Sequence, residues 1–369
     1  MMPINKKSKI YIIAEIGVNH NGSLSIAKKL IKTAKNYGAD AVKLQTYDSN
    51  SLVTPYAKKS QYQLKHNNSI SQLEMLKKYE LSKLNHEKLL KYSDKLKIDF
   101  ISTPFDIGSL KFLISKLRLG TIKVSSTDID NIPFLLEVGS TKANIIISSG
   151  MSCLNDVIVA LSALTYANKY KKSELKYNFN PIKHKNFYKT NLKFLKSKVS
   201  LMHCTTEYPA PINELNLNVL STYRKLFNIP IGYSDHSGNL ITPVIAVTKG
   251  VALIEAHITL DKNMIGPDHK ASLDPDEFAK YIKNIRDTEI MLGSEIKEVT
   301  KSEKKNILTA RKSLVLSCDV KKDDKISIDN LVVKRPGNGI KPADFYKIIG
   351  KKINKSLRAN HVLKKADIK

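Results

Sequence analysis

The chain has 369 residues but no tryptophan, only three cysteines, and six arginines against a formal net charge of +27. Each shortage excludes something. Cys153, Cys204 and Cys318 are scattered, odd in number and without C-x-x-C spacing. Neither a disulfide framework nor a cysteine-based zinc site is expected, and a reducing cytoplasm is the expected compartment. No run of about 18 apolar residues occurs, so no transmembrane helix is expected. The basic start M-M-P-I-N-K-K-S-K leads straight into I-Y-I-I-A-E-I-G, whose acid and short length argue against a signal peptide. The scarcity of arginine also weakens the first reading of the charge. Arginine is the residue of choice for bidentate phosphate and base recognition, and here the positive charge is nearly all lysine, with no basic helix interleaved with aromatics. The lysine excess therefore reads as solvated surface that also draws in anions. A non-enzymatic polyanion-binding protein is the alternative it leaves.

What is present is an alternation. Short apolar runs at 10–16, 41–45, 100–103, 121–124, 145–148, 199–204, 230–233 and 251–259 read as strands, and each is followed by sequence of helical spacing. After the first run, Leu24, Ala27, Leu30, Ile31 and Ala34 fall on one helical face. Further helices are expected at 73–79, 84–96, 110–117, 132–138, 157–167, 215–227, 242–247 and 275–291. Eight such units over about 290 residues predict a closed (β/α)8 TIM barrel, an α/β fold, rather than an open sheet. An open nucleotide-binding sheet would carry a glycine-rich phosphate turn after its first strand, and G-V-N-H-N-G is a poor match.

The expected domains are a barrel over 1–293, a linker over 294–312 and a small β-rich domain over 313–369. Residues 168–198, rich in Lys, Asn and Tyr, interrupt the barrel and read as a partly disordered surface insertion. Single-strand nucleic-acid contact by Tyr170, Tyr177, Phe179, Phe187 and Tyr188 is the alternative there.

In such a barrel the active site lies at the C-terminal ends of the strands, and those ends are polar throughout. The first offers Glu15, then Asn19 and His20. The second carries Lys43 and Gln45 on one face. The next four give Thr103; Lys123 and Ser126 with Asp128; Ser148 and Ser149; and His203 with Thr205 and Thr206. The last two end in Asp235-His236 and Glu255-Ala256-His257. Residues two apart on a strand share a face, so Glu255 and His257 stand side by side. Two histidines near carboxylates suit a divalent ion such as Mn2+, Fe2+ or Zn2+. Two lysines beside serines suit a small, strongly anionic ligand such as a phosphorylated carboxylate. The competing readings are satisfied core histidines and structural ion pairs of Lys43 and Lys123 with Glu15 or Asp128. A metal that polarises a carbonyl beside a bound anion describes carbon–carbon bond formation and hydrolysis equally well.

These segments, taken together, resemble the sialic acid synthase family, the phosphoenolpyruvate-dependent nonulosonate synthases. The matching stretches are A-E-I-G-V-N-H-N-G from Ala14, V-K-L-Q-T from Val42, I-S-T-P-F from Ile101, S-S-G-M from Ser148 and H-C-T-T-E-Y-P from His203. They continue with G-Y-S-D-H from Gly232, E-A-H-I-T from Glu255 with G-P-D ending at Asp268, and V-K-R-P-G-N-G from Val333. The C-terminal domain is similar to the antifreeze-like (SAF, β-clip) domain that accompanies this barrel.

The resemblance implies a transferase that condenses phosphoenolpyruvate with an N-acylated mannosamine-type aldose, giving a nine-carbon α-keto acid sugar and phosphate. It implies Mn2+ or Mg2+ on His236 and His257. Glu15 would position or deprotonate the water, with Glu255 as an alternative acid/base. Phosphoenolpyruvate would bind Lys43, Lys123, Ser126 and Ser149, and the sugar Gln45, Thr103, Tyr208 and Asp268. Arg335 matches an arginine that reaches the partner subunit's site, which implies a domain-swapped homodimer. Two positions assigned to substrate depart from N-acetylneuraminate synthases. Asp128 stands where they commonly have Glu, and Thr206 lies in T-T-E-Y-P-A-P, a form similar to that of legionaminate-type synthases. N-acetylneuraminate and legionaminate products both remain open at this point. A related metal-dependent barrel enzyme acting on another sugar is the nearest alternative.

Overall fold

The structure is a computed structural model that describes residues 9–59, 71–170 and 178–369. The chain divides into two compact units, Met1–Gly293 and Ser294–Lys369. In the first, eight parallel strands follow one another around a closed barrel. They are β1 (Tyr11–Gly17), β2 (Ala41–Thr46), β3 (Asp99–Pro104), β4 (Thr121–Val124), β5 (Asn144–Ser148), β6 (Val199–His203), β7 (Ile231–Asp235) and β8 (Leu253–His257). β8 closes on β1, and the register sets Glu15 opposite both Lys43 of β2 and His257 of β8.

The period of two along each strand sorts the side chains. Outward residues such as Ile12, Ala14, Val42, Leu44, Ile122, Ile145, Ile147, Leu201 and Ile254 join the main core under the helices. Inward, Ile13, Ala41, Ile101, Ile146, Met202 and Leu253 form a separate apolar layer, almost fully buried. Two residues further along the same six strands come Glu15, Lys43, Thr103, Ser148, Cys204 and Glu255, all buried. The barrel is thus plugged with hydrocarbon below and lined with polar groups above, as the alternation of these strands dictates.

The helices follow from their caps and stripes. Leu24–Asn36 starts at Ser23, whose side chain accepts from the Ile26 amide, and buries Ala27, Leu30, Ile31 and Ala34. Pro275–Leu292 opens with a reciprocal Asp274–Glu277 capping box. Three expectations need correction. The helix expected at 215–227 runs only over Val219–Phe227, because Asn216 takes a left-handed conformation (φ 45°) that a helix cannot contain. The one expected at 110–117 is an α-turn, Ile107–Lys111, continued by a π-helical stretch, Phe112–Lys116. In the stretch expected to be a linker, Lys301–Ala310 is a capped helix.

Of the insertion at 168–198, the described residues 168–170 and 178–198 carry regular structure and packing. Residues 178–198 include a 3-10 turn (Phe187–Asn191) and a helix (Leu192–Lys198), with Tyr188, Phe194 and Leu195 buried. The rings of Tyr170, Phe179, His184 and Phe187 gather around Tyr166 at centroid distances of 4.6, 5.3, 5.0 and 5.2 Å. These aromatics pack against Tyr166 of the preceding helix, Leu154–Lys169; Tyr177 lies outside the described residues.

The second unit has its own core, including Leu314, Leu316, Ile326, Leu331, Ile353 and Leu363. Its antiparallel pair β9 (Ser313–Leu316) and β10 (Leu331–Lys334) is joined to the preceding helix through Gly337, whose amide donates to the Leu308 carbonyl at 2.8 Å.

Candidate active site

The polar layer opens into a cavity of about 360 Å³ at the C-terminal ends of the strands. Its floor is a line of four charges. Lys43 Nζ lies 3.0 Å from Glu15 Oε2 and 3.3 Å from Glu255 Oε1, and Lys123 Nζ lies 3.8 Å from the same Glu255 oxygen. Hydroxyls complete the set: Lys123 donates to Ser148 Oγ at 2.6 Å, and Ser234 Oγ donates to Glu255 Oε1 at 2.8 Å. Gly17 ends β1 at φ 52°, where the register with β2 slips. A Cβ there would sit 3.0 Å from Glu15 Oε1, so the bare backbone leaves the carboxylate its room.

The two carboxylates have different electrostatic surroundings. Burial pushes Glu15 up to about 7, with Lys43 pulling against it and Glu255 adding to it. Burial acts on Glu255 as well, but Lys123, Lys43 and the Ser234 hydroxyl outweigh it and hold this carboxyl down at about 2. Glu255 is therefore a fixed anion, whereas Glu15 is poised to exchange a proton near neutrality. Burial works against both lysines. Lys43, flanked by two carboxylates, is nonetheless raised, while Lys123 is lowered.

Beside this floor stand His236 and His257, their ring centroids 5.4 Å apart. Burial lowers His236 to about 4 and, together with the neighbouring His236 ring, holds His257 well below its ordinary value, so both are neutral at pH 7. His236 Nδ1 lies 2.7 Å from the Thr205 carbonyl, which assigns the proton to Nδ1 and leaves a lone pair on Nε2. His257 Nδ1 is buried without a hydrogen-bond partner, 3.9 Å from Asp268, whose carboxyl burial lifts to about 6. Glu255 Oε2 and Thr206 Oγ1 are likewise buried and unsatisfied. Native interiors rarely leave such groups unpaired, so together they mark a place built for a ligand.

A divalent ion fits this donor set. Both rings are neutral, one has its second nitrogen fixed by a carbonyl, and the other has an orphaned nitrogen near a carboxylate. Among the described residues no group of three or more His, Cys, Asp or Glu side chains is arranged to hold a metal. A divalent ion bound here would take only the two imidazoles from the protein, which would make the site open rather than closed and structural.

Most residues singled out from the sequence meet here. Glu15, Lys43, Gln45, Thr103, Lys123, Ser126, Thr206, Tyr208, His236, Glu255, His257 and Asp268 all line the cavity. Tyr208 stacks on His236 at 4.3 Å. Asp128 and Ser149 lie outside the lining. Asp128 accepts from the Asn131 amide at 2.9 Å, and the Ser149 hydroxyl donates to the Met202 carbonyl and accepts from Tyr223. Arg335 belongs to the second unit, where its Nε donates to the Ala310 carbonyl at 3.1 Å. Asp235 points away from the cavity. It accepts from Tyr281, Thr242 and Ser237 and so anchors the loop that follows His236. Ser148, named among the polar strand ends, lines the cavity as well; Ser234 and Cys204 do so without having been named, though the period of two that selects His236 also selects Ser234. Gly150 matters in a different way: a Cβ there would fall 2.1 Å from Thr206 Oγ1.

The NeuB family profile matches residues 30–297, and the SAF domain profile matches residues 311–369. The chain belongs to the NeuB family. N,N'-diacetyllegionaminic acid synthase of Campylobacter jejuni is 40% identical over 96% of this chain and 99% of its own length. The Legionella pneumophila protein of the same name is 39% identical over 98% and 95%. Among solved structures, N-acetylneuraminic acid synthetase from Leptospira borgpetersenii, in complex with citrate, superposes with a TM-score of 0.65 at 28% identity, covering 81% of this chain and 90% of that one.

The charge line yields a stability test. Replacing Lys43 by Met leaves Glu15 and Glu255 buried without the cation between them, and breaking a buried pair in this way costs about 3–5 kcal/mol. Urea unfolding at pH 7.5 should show a loss of that size for Lys43→Met. The double variant Lys43→Met/Glu15→Gln should recover part of it. Equal losses for the single and double variants would contradict the coupling.

Proposed function

We propose that this NeuB-family chain is a nonulosonic acid synthase that joins phosphoenolpyruvate to an N-acylated mannosamine-type aldose, releasing phosphate. The observation that supports this is the buried polar layer itself, where two ammonium groups lie beside two neutral imidazoles, one of them, His257, with a ring nitrogen that has no hydrogen-bond partner. Phosphoenolpyruvate is small and highly charged, and it matches the lysines in charge and the cavity in scale. The relatives named N,N'-diacetyllegionaminic acid synthase support the same reading.

In this reading Lys43, Lys123 and Ser126 hold the phosphate and carboxylate, so C3 of the enol faces the aldehyde carbon of the open-chain sugar. A divalent ion on His236 and His257 would polarise that aldehyde. C3 attacks with the enol's π electrons, the carbon–carbon bond forms, and the aldehyde oxygen becomes a hydroxyl by taking up one proton from solvent, which the water added later at C2 gives back through Glu15. Positive charge develops at C2, where the fixed Glu255 anion stabilises it. Water adds to C2 as Glu15 takes its proton, and the tetrahedral adduct then expels phosphate to leave the ketone. Glu15 suits this role because burial places its pKa near the working pH. Gln45, Thr103, Tyr208 and Asp268 surround the space left for the sugar. A homodimer in which Arg335 completes the partner's site belongs to the same proposal.

Incubation with Mn2+, phosphoenolpyruvate and a panel of N-acylated mannosamine-type sugars should release phosphate and an α-keto acid in equal amounts. Failure with every such sugar would overturn the reading. The role of Glu15 is tested by pH. A base works only when deprotonated, so kcat/KM should fall about tenfold per unit as pH drops below about 7. Glu15→Gln should lower the rate by about 10²–10⁴-fold and abolish that limb. An unchanged limb in the variant would assign it to another group.

A further inference from the structure

The turn after β1 carries N-H-N-G from Asn19, and the chemistry above uses none of it. Asn19 and Asn21 both bond to a second loop, 259–272, which leaves β8 and brings Asp268 to the cavity. This second loop has no helix or strand before the 3-10 turn His269–Ala271. Regular structure therefore does not place the Asp268 carboxylate 3.9 Å from His257. Something else must.

Backbone closes the base of the loop. The Thr259 amide donates to the Leu273 carbonyl at 2.9 Å, and the Leu273 amide to the His257 carbonyl at 2.8 Å. Above the base, side chains take over. Asn19 is 1% exposed, and its Nδ2 donates both to the Ile258 carbonyl at 3.0 Å and to Ser272 Oγ at 2.7 Å. Ser272 Oγ in turn donates to the Asp268 carbonyl at 2.7 Å. One amide thus grips both ends of the loop. His269 adds a second clamp, with Nδ1 2.7 Å from Thr259 Oγ1 and Nε2 3.2 Å from Asn21 Oδ1. The relay through Asn19 has a direction. A carbonyl only accepts, so the amide must turn its NH2 to Ile258 and Ser272, which leaves the serine proton for Asp268. Bonds aligned donor to acceptor in a buried setting strengthen one another.

We propose that Asn19 is a positioning residue that acts through Ser272 to hold Asp268 beside His257, at the end of the cavity left for the sugar. This rests on the synthase reading, in which Asp268 contacts the sugar. Asn19 itself does not line the cavity. Replacing it by Asp keeps the shape and reverses the relay. The carboxylate faces the Ile258 carbonyl without a proton to offer, and it draws the Ser272 proton away from the Asp268 carbonyl. The loop then loses its hold, whereas Lys43 and Lys123 stay fixed on β2 and β4.

The test is steady-state kinetics with Mn2+, phosphoenolpyruvate and a panel of N-acylated mannosamine-type sugars, with thermal unfolding of each variant alongside. Asn19→Asp and Ser272→Ala should each raise KM for the sugar about tenfold, the scale of one lost hydrogen bond. KM for phosphoenolpyruvate should stay within about twofold. The double variant should raise KM for the sugar no further than the larger single effect, because both substitutions cut one relay. Multiplied effects in the double variant, or equal rises for both substrates, overturn the relay. A lowered melting temperature with KM for the sugar unchanged makes Asn19 structural only and overturns it too. Should Asn19→Asp fail to fold, Ser272→Ala alone decides by the same split of KM values. These failures leave the synthase standing. Absence of product from the wild type with every sugar overturns the synthase reading and this inference with it.

Discussion

Two ammonium groups and two carboxylates share one water-poor layer of the barrel, and the rest of the site is arranged around that constraint. Desolvating four charges is expensive, and their mutual contacts offset the expense only if each is correctly placed. The parallel register supplies the placement by setting Glu15 beside Lys43, while Ser148 and Ser234 supply the remaining hydrogen bonds. Because the carboxylates are unequally compensated, one stays an anion and the other sits near neutrality. A device that balances two positive charges in the absence of ligand also keeps them available for an anion that arrives later.

The same strands carry both halves of the design. On six of them the inward residue of the apolar layer is followed two positions later by a polar one: Ile13 then Glu15, Ala41 then Lys43, Ile101 then Thr103, Ile146 then Ser148, Met202 then Cys204, Leu253 then Glu255. Hydrocarbon below gives the layer rigidity and a low dielectric, which strengthens every electrostatic contact above it. The histidines extend the pattern by one further step at the ends of β7 and β8. Their burial keeps them neutral, so they add no further cations to the layer and keep the lone pairs a metal would need.

Much of this was legible in the sequence because period and position coincide. Each apolar run ended in a polar residue, and a barrel gathers such ends on one rim, so Glu15, Lys43, Lys123, His236, Glu255 and His257 could be placed together before any geometry was known. What was not legible lies off the strands. Ser149 follows the last residue of β5 and turns its hydroxyl to the Met202 carbonyl, and Asp128 lies in the 3-10 turn beyond β4, where it accepts from the Asn131 side chain. Leu52, Val53 and Leu76 sit on connecting segments whose apolar residues look like ordinary packing, and only the fold turns them toward the cavity. Composition also hid part of the insertion's packing, because lysines and asparagines mask an aromatic cluster built around Tyr166, a residue of the preceding helix.

The central claim is that the polar layer binds an anionic enol substrate on its lysines next to a divalent ion on its imidazoles. The most direct measurement is a crystal structure of the protein soaked with Mn2+ and phosphoenolpyruvate. The account predicts Mn2+ anomalous signal at His236 and His257, with the phosphate and carboxylate within hydrogen-bond distance of Lys43 and Lys123. Phosphoenolpyruvate bound elsewhere, or Mn2+ bound away from the two histidines, would contradict it.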